Sequence, residues 1–368
     1  MRVLLAAAVS LAAAAVPASG ATPRTENLYT RSSGTISAFA QDGSLIAWFT
    51  PGSKSCNSVH VWSLVNPLRV ALPSQQTGTH NVTCQWAVGG TPVALAIASE
   101  TSNVLWTLHE SSPLPFDYLV GAGAAQKDQR EHRFQQLAHT NRGAGLWFGG
   151  VTGDGTTLAY AVTSVDYADE AGCLAGTDTC DLKIAGGGVF RIVGGDRFKQ
   201  IPETTAAVGI AASAGRVAYI EAGGITKRGR PTAGPDPAID VIDSVSGQIV
   251  SSIRPPGTPL AVALAPHVLA TLERTPLGLR LAWYGPTTGK PLGSVPIAAA
   301  TNPELSVTDS LAVFRVGRSI RAVELASRRV RTLIKAAATP VGLSIEGTRV
   351  AWAENLKHGA RIRALFVG

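Results

Sequence analysis

Several things are missing from this chain, and each absence narrows the reading. Beyond residue 21 no segment is long and apolar enough to cross a bilayer, which takes about 20 residues, so the mature chain is expected to be soluble. No basic run is interleaved with aromatic residues, which sets aside a nucleic-acid groove. Neither a G-x-S-x-G nucleophile elbow nor an H-E-x-x-H zinc helix occurs, and no catalytic residue is assigned. Aromatic residues are held to 6%, charged residues to 15% and cysteines to four.

The N-terminus is different in kind. Arg2 precedes an uncharged Ala/Leu/Val-rich run from Val3 to Val16, then Pro17 and small residues up to Ala21. A positive start, an apolar stretch too short to span and a small-residue end are the parts of a secretory signal peptide. The expected division is therefore a leader over 1–21 and one domain over 22–368, with the mature chain secreted to the cell envelope or beyond. Four cysteines suit an oxidising compartment and two disulfides. Cys173 and Cys180 lie in one polar loop and are expected to close on each other, leaving Cys56 with Cys84. Four unpaired, buried thiols are the competing reading.

Charge is uneven. Residues 254–368 hold 15 Lys/Arg against 6 Asp/Glu, whereas residues 1–253 hold 17 against 19. A basic sector suits either a polyanion or plain solvent, and solvation is the simpler reading.

Internal repetition decides the architecture. An apolar–alanine pair recurs as Ile46-Ala47, Val93-Ala94, Leu158-Ala159, Val217-Ala218, Leu269-Ala270, Leu311-Ala312 and Val350-Ala351. Turn residues precede most of these pairs, as in Asp42-Gly43, Asp154-Gly155 and Glu346-Gly347. Each unit reads as four short strands with period-two alternation. In the first they are 34–40, 45–49, 59–64 and 68–72; in the fourth 206–212, 216–221, 238–244 and 248–253. Four-stranded units repeating at roughly 40–50 residues imply an all-β fold, a β-propeller of four-stranded antiparallel blades. Seven blades are expected, with six as the alternative. The last unit shows only three strands, and ENLYTRS (26–32) is expected to supply the fourth, closing the ring.

FAQDGSLIAWF (39–49) and GVTGDGTTLAYAV (150–162) resemble the TolB-type propeller repeat, and VHVWSL (59–64) resembles a WD-repeat third strand. TolB-type propellers are often six-bladed, which keeps six as the alternative. The resemblance implies a fold more than an activity, because propellers host many unrelated functions.

In such blades the first-to-second and third-to-fourth turns share one face, and the second-to-third and interblade loops share the other. The long segments 121–142, 164–184 and 222–237, from units two, three and four, are read as belonging to the second set, crowding one sector of one face. Long loops on a rigid scaffold are where binding residues sit. Within them Asp166, Asp169, Glu170, Asp178 and Asp181 are candidate oxygen ligands for calcium, against a solvated acidic loop. No other cofactor is expected. Residues 125–139 read as a short surface helix carrying Arg130 and His132, and Lys227, Arg228 and Arg230 stand in a Pro/Gly-rich loop; these five are the candidate contacts for a partner. Asp154 and Asp309 read as isolated carboxylates on the opposite face.

The function expected is a non-enzymatic exported scaffold, monomeric, binding a protein, glycan or envelope polymer through the long-loop face. The alternative is a lactonase-like propeller hydrolase or lyase with a metal in the central channel. Such an enzyme needs inward polar residues from several first strands, and most first strands here are apolar.

Overall fold

The computed structural model describes residues 24–51, 58–64, 78–81, 91–101, 103–110, 116–123, 132–138, 143–169, 181–193, 197–298 and 304–367. Among these every regular element is a strand. Seven four-stranded antiparallel sheets form, plus one two-stranded ribbon.

Blade 1 is Ala38–Asp42, Leu45–Thr50, Ser58–Ser63 and Gly78–Asn81. Blade 2 is Thr91–Ala98, Asn103–Glu110, Phe116–Gly123 and His132–Ala138. Blade 3 is Gly145–Asp154, Thr157–Tyr167, Leu182–Val193 and Arg197–Gln200. Blade 4 is Ala207–Ser213, Arg216–Glu221, Ile239–Asp243 and Ile249–Ile253. Blade 5 is Thr258–Leu264, Leu269–Thr275, Gly278–Tyr284 and Pro291–Pro296. Blade 6 is Leu305–Val307, Leu311–Val316, Ser319–Glu324 and Arg329–Lys335. Blade 7 joins Pro340–Glu346, Arg349–Asn355 and Ala360–Phe366 to Thr25–Arg31 from the other end of the chain.

That last pairing is the expected closure. Thr25 stands opposite Leu365 and Arg31 opposite Ala360, antiparallel, with an irregularity between Asn27 and Tyr29. Leu28 is buried, and the Tyr29 ring lies 4.6 Å from Trp48 and 5.3 Å from Trp62 of blade 1. The closing strand therefore seals the seam between the last blade and the first.

First strands contact one another around the ring, and they do so closely. A Cβ on Gly153 would lie 2.1 Å from the Ile97 carbonyl oxygen, and one on Gly342, at φ +62, would lie 2.4 Å from that of Phe39. Only glycine permits such approach.

The repeat alanine has a packing reason. Ala47, Ala159, Ala218, Ala270, Ala312 and Ala351 all sit on second strands and are fully buried. Side chains alternate across a strand, so in blades 1, 3, 4 and 7 the alanine faces one neighbouring blade and the aromatic after it faces the other. Ala351 shares a core with Trp48 of blade 1, Ala47 with Trp106 of blade 2, and Ala159 with Tyr219 of blade 4. The small side chain makes the recess that the neighbour's large ring fills.

Three expectations are corrected. In blade 2 the Val93-Ala94 pair belongs to the first strand, and the second strand, NVLWTLHE, contains no alanine. The fourth strand of blade 1 is Gly78–Asn81 rather than 68–72, which lies outside the described residues. The helix expected over 125–139 is instead the outer strand His132–Ala138, paired to Phe116–Gly123. Pairing with the neighbouring strand overrides the helix-forming composition of the segment. It follows that 121–142 is not one long loop: it holds the end of the third strand and all of the fourth strand of blade 2, so the stretch between Gly123 and His132 is a third-to-fourth connection, of the opposite set from the one expected.

Candidate functional site

The seven first strands enclose a central cavity of about 500 Å³. Phe39, Leu95, Val151, Ile210, Val262 and Leu343 are among the lining residues, yet polar atoms make up most of the surface that faces the cavity. The carboxylates among its lining residues, Asp42, Asp154, Asp309 and Glu346, stand where the first strands end or the turns open.

Asp154 and Asp309 are not the isolated carboxylates that the sequence suggested; with Asp42 they belong to a hydrogen-bonded girdle. Asp42 Oδ2 accepts the N–H groups of Ser99 (2.6 Å) in blade 2 and Gly155 (2.8 Å) in blade 3. The Glu100 N–H donates to the Gly155 carbonyl at 3.0 Å. Asp154 Oδ2 accepts from Ala214 N–H of blade 4 at 2.8 Å. Arg216 donates to the Pro266 carbonyl of blade 5, and Asp309 of blade 6 accepts from His267 N–H at 2.7 Å. Ser306 accepts from Ile345 N–H at 3.1 Å, joining blades 6 and 7. Arg349 donates to Gln41 Oε1 at 3.0 Å and to the Gly43 carbonyl at 2.6 Å, returning to blade 1. Every neighbouring pair of blades is thus tied at this mouth. Burial raises the Asp154 carboxyl above its ordinary range, helped by the charges of Asp42 and Glu100. Burial likewise raises Glu346, with Asp42 and Asp154 adding to it. Among the described residues no group of three or more His, Cys, Asp or Glu side chains is placed to hold a metal ion.

On the other face, two of the expected long connections stand side by side, after the second strands of blades 3 and 4. Asp166, Asp169 and Asp181 are exposed at the root of the blade 3 loop, and the Asp166 carboxylate accepts the Tyr167 N–H at 2.9 Å. Glu170, Asp178, Cys173 and Cys180 lie outside the described residues, as do Cys56, Cys84, Arg130 and the leader 1–21. His132 opens the outer strand of blade 2. The blade 4 connection forms the ribbon, Gly224–Ile225 with Pro231–Thr232. Its tip is closed by Thr226 N–H to the Arg230 carbonyl (2.9 Å) and Gly229 N–H to the Thr226 carbonyl (2.8 Å). The tip rests on blade 3, since a Cβ on Gly143 would come within 2.5 Å of Gly229 Cα. Lys227, Arg228 and Arg230 are therefore presented, exposed, from a packed hairpin.

Beside these connections lies a cleft of about 480 Å³ between blades 3 and 4. One wall is Ile184 to Gly187, and the other carries Thr205 and Glu221. Thr205 Oγ1 donates to Glu221 Oε1 at 3.1 Å. Behind it the Tyr219 hydroxyl donates to Asp240 Oδ2 at 3.2 Å, and Asp240 is only 6% exposed. Burial raises the Glu221 carboxyl, and the Asp240 charge and a hydrogen bond between the two acids raise it further. Burial also pushes the Tyr219 hydroxyl up, to about 12, with Asp240 contributing. The half-buried Glu221 and the buried Asp240 beneath it thus form an acidic floor to the cleft. Sequence reasoning missed both acids. The signal was a glutamate three residues past the repeat alanine, which also occurs as Glu273 and Glu354.

No family model matches the chain, and no curated protein does. Solved structures do match. The chain is similar to the β-propeller domain of Cps50 (Swd1) from Myceliophteria thermophila, at 12% identity over 94% of this chain and 100% of that one, with a TM-score of 0.52. It is also similar to the β-propeller domain of the Trilobed protease from Pyrococcus furiosus, at 8% identity over 91% and 96%, with a TM-score of 0.51. A chain of the Mitotic Checkpoint Complex matches at 10% identity over 96% and 98%, with a TM-score of 0.50. The chain is a β-propeller. At these identities the likeness shows the fold alone, and the propeller's activity is argued from its own surfaces. The Pyrococcus propeller is described as having an open velcro topology, whereas here the N-terminal strand closes the last blade.

Proposed function

We propose that this propeller is an exported, non-enzymatic scaffold that binds a partner protein, glycan or envelope component through its long-loop face. The observation that carries the reading is the cleft between blades 3 and 4, into which the blade 4 connection opens at Ala222. From that connection a packed hairpin carries Lys227, Arg228 and Arg230 exposed at its tip. Rigid presentation lowers the ordering cost of association. Export is argued from the leader-like residues 1–21, and the TolB-like phrases of blades 1 and 3 suit an envelope propeller.

Co-sedimentation of the mature chain with fractionated envelope protein and envelope polysaccharide tests this. The wild type is expected to be retained by one fraction, and the triple variant Lys227→Ala, Arg228→Ala, Arg230→Ala to be released from it. Equal retention of the two refutes the face assignment. N-terminal sequencing of exported protein is expected to show cleavage after Gly20 or Ala21.

A further inference from the structure

Three blades carry a glutamate at one position, three residues past the repeat alanine at the end of the second strand, facing the preceding blade. In blade 5, Glu273 is fully buried and Arg280, directly across the hairpin, donates to its Oε2 from Nε at 2.8 Å. In blade 7, Glu354 is fully buried and Arg361, again directly across, donates from Nε at 2.9 Å. In blade 4 the residue across from Glu221 is Ala238, whose carbonyl accepts the Glu221 N–H at 3.0 Å. Arginine follows glutamate by seven residues in blades 5 and 7. The same count from Glu221 reaches Arg228, which the inserted ribbon carries onto an exposed tip. Arg254 acts on Glu221 only through its field, and its nearest ion-pair contact is Asp236 at 3.8 Å.

The sister blades therefore show what this position binds, and blade 4 keeps the acceptor without the donor. Glu221 lines an open cleft, whereas Glu273 and Glu354 are sealed. The cleft's far wall includes Gly186, where a Cβ would meet nothing within 4 Å, leaving room for a flat group against the strand. Asp240 beneath adds negative charge, which favours a cation over a neutral amide.

We propose that the cleft between blades 3 and 4 receives the guanidinium of an arginine from a partner polypeptide, with Glu221 as its acceptor in the role that Glu273 and Glu354 play for Arg280 and Arg361. This rests on the reading of the long-loop face as a partner-binding face, and names what the partner brings. The planar fork of arginine suits a carboxylate with free lone pairs better than the point charge of lysine.

The test uses the mature chain and the probe N-acetyl-arginine methylamide, with its citrulline analogue as the neutral isostere, followed by amide chemical shifts. Saturable shifts are expected at Gly186, Gly187, Glu221 and Ala222 with the arginine probe and not with citrulline. Glu221→Gln is expected to weaken binding at least about tenfold, the loss of one charge-assisted contact. Ala238→Arg, which restores the sister-blade pair from within, is expected to abolish it. Equal shifts with citrulline, or undiminished binding to Glu221→Gln, overturn the proposal; if Ala238→Arg fails to fold, Glu221→Gln decides alone. The probe needs no partner. Failure of the hairpin variant to release the envelope fraction therefore strikes the broader reading, and failure of the probe strikes only this one.

Discussion

Cutting the buried Glu354–Arg361 pair in blade 7 is the sharpest test of how these blades are held. Glu354 is fully buried, and the Arg361 side chain is 23% exposed. Besides two nitrogens of Arg361, the carboxylate accepts Trp352 Nε1 at 2.8 Å and Ala337 N–H at 3.3 Å. Arg361→Met leaves that carboxylate with neutral donors only and is expected to cost about 3–5 kcal/mol. Glu354→Leu strands the Trp352 indole N–H, at about 1–3 kcal/mol, and leaves a cation that still reaches water. The double variant has no charge to strand and keeps only the indole and amide penalties. The two single costs should therefore exceed the double by at least roughly 2 kcal/mol, where independent sites agree within roughly 0.5 kcal/mol. Urea unfolding followed by tryptophan fluorescence measures all three. Glu221→Gln, which breaks no ion pair, is the comparison and should move stability by less than about 1 kcal/mol. Additive single effects, or a Glu221→Gln cost as large as that of Arg361→Met, would refute the reasoning.

Other outcomes follow from the ring. Asp42→Ala removes the acceptor of two interblade amides, and hydrogen exchange at Ser99 and Gly155 should accelerate while the amides of blade 5 stay unchanged. Glu346 is raised, so its protonated form is the one that suits the fold. Its contribution is fully present below the ordinary value of 4.5 and is lost as pH rises through the raised one. Glu346→Gln should thus be more stable than wild type at pH 7 and match it in acid, as read from melting temperature across pH. Ala351→Leu pushes a branched side chain toward Trp48 and should cost about 1–3 kcal/mol by overpacking, while Leu28→Ala in the closing strand should cost about 2–5 kcal/mol.

What could be read in advance was what repeats locally. Strand alternation and the alanine–aromatic phrase lie within a few residues of each other, so the strands of blade 4 were visible almost to the residue. Blade 2 misled because VALAIA on its first strand imitates the second-strand phrase, and because an outer strand built from HRFQQLA has no need to look like one. The girdle and the Glu221–Asp240 pair were invisible for another reason. Asp42 with Gly155, or Glu221 with Asp240, are partners only once hairpin register and ring closure have brought distant residues together. The glutamates were in plain view at +3 from the alanine, but their meaning depended on what stood across the hairpin: arginine twice, alanine once.

The closing strand also sets an order of events. Thr25–Arg31 leaves the ribosome early, yet its partner, Ala360–Phe366, is made more than three hundred residues later. Until then its edge and the Leu28 side chain have nowhere to go, and ring closure is among the longest loops the chain must shut. Completion of the ring is thus withheld from any nascent or truncated form: a fragment ending before residue 360 keeps both free edges open to intermolecular pairing.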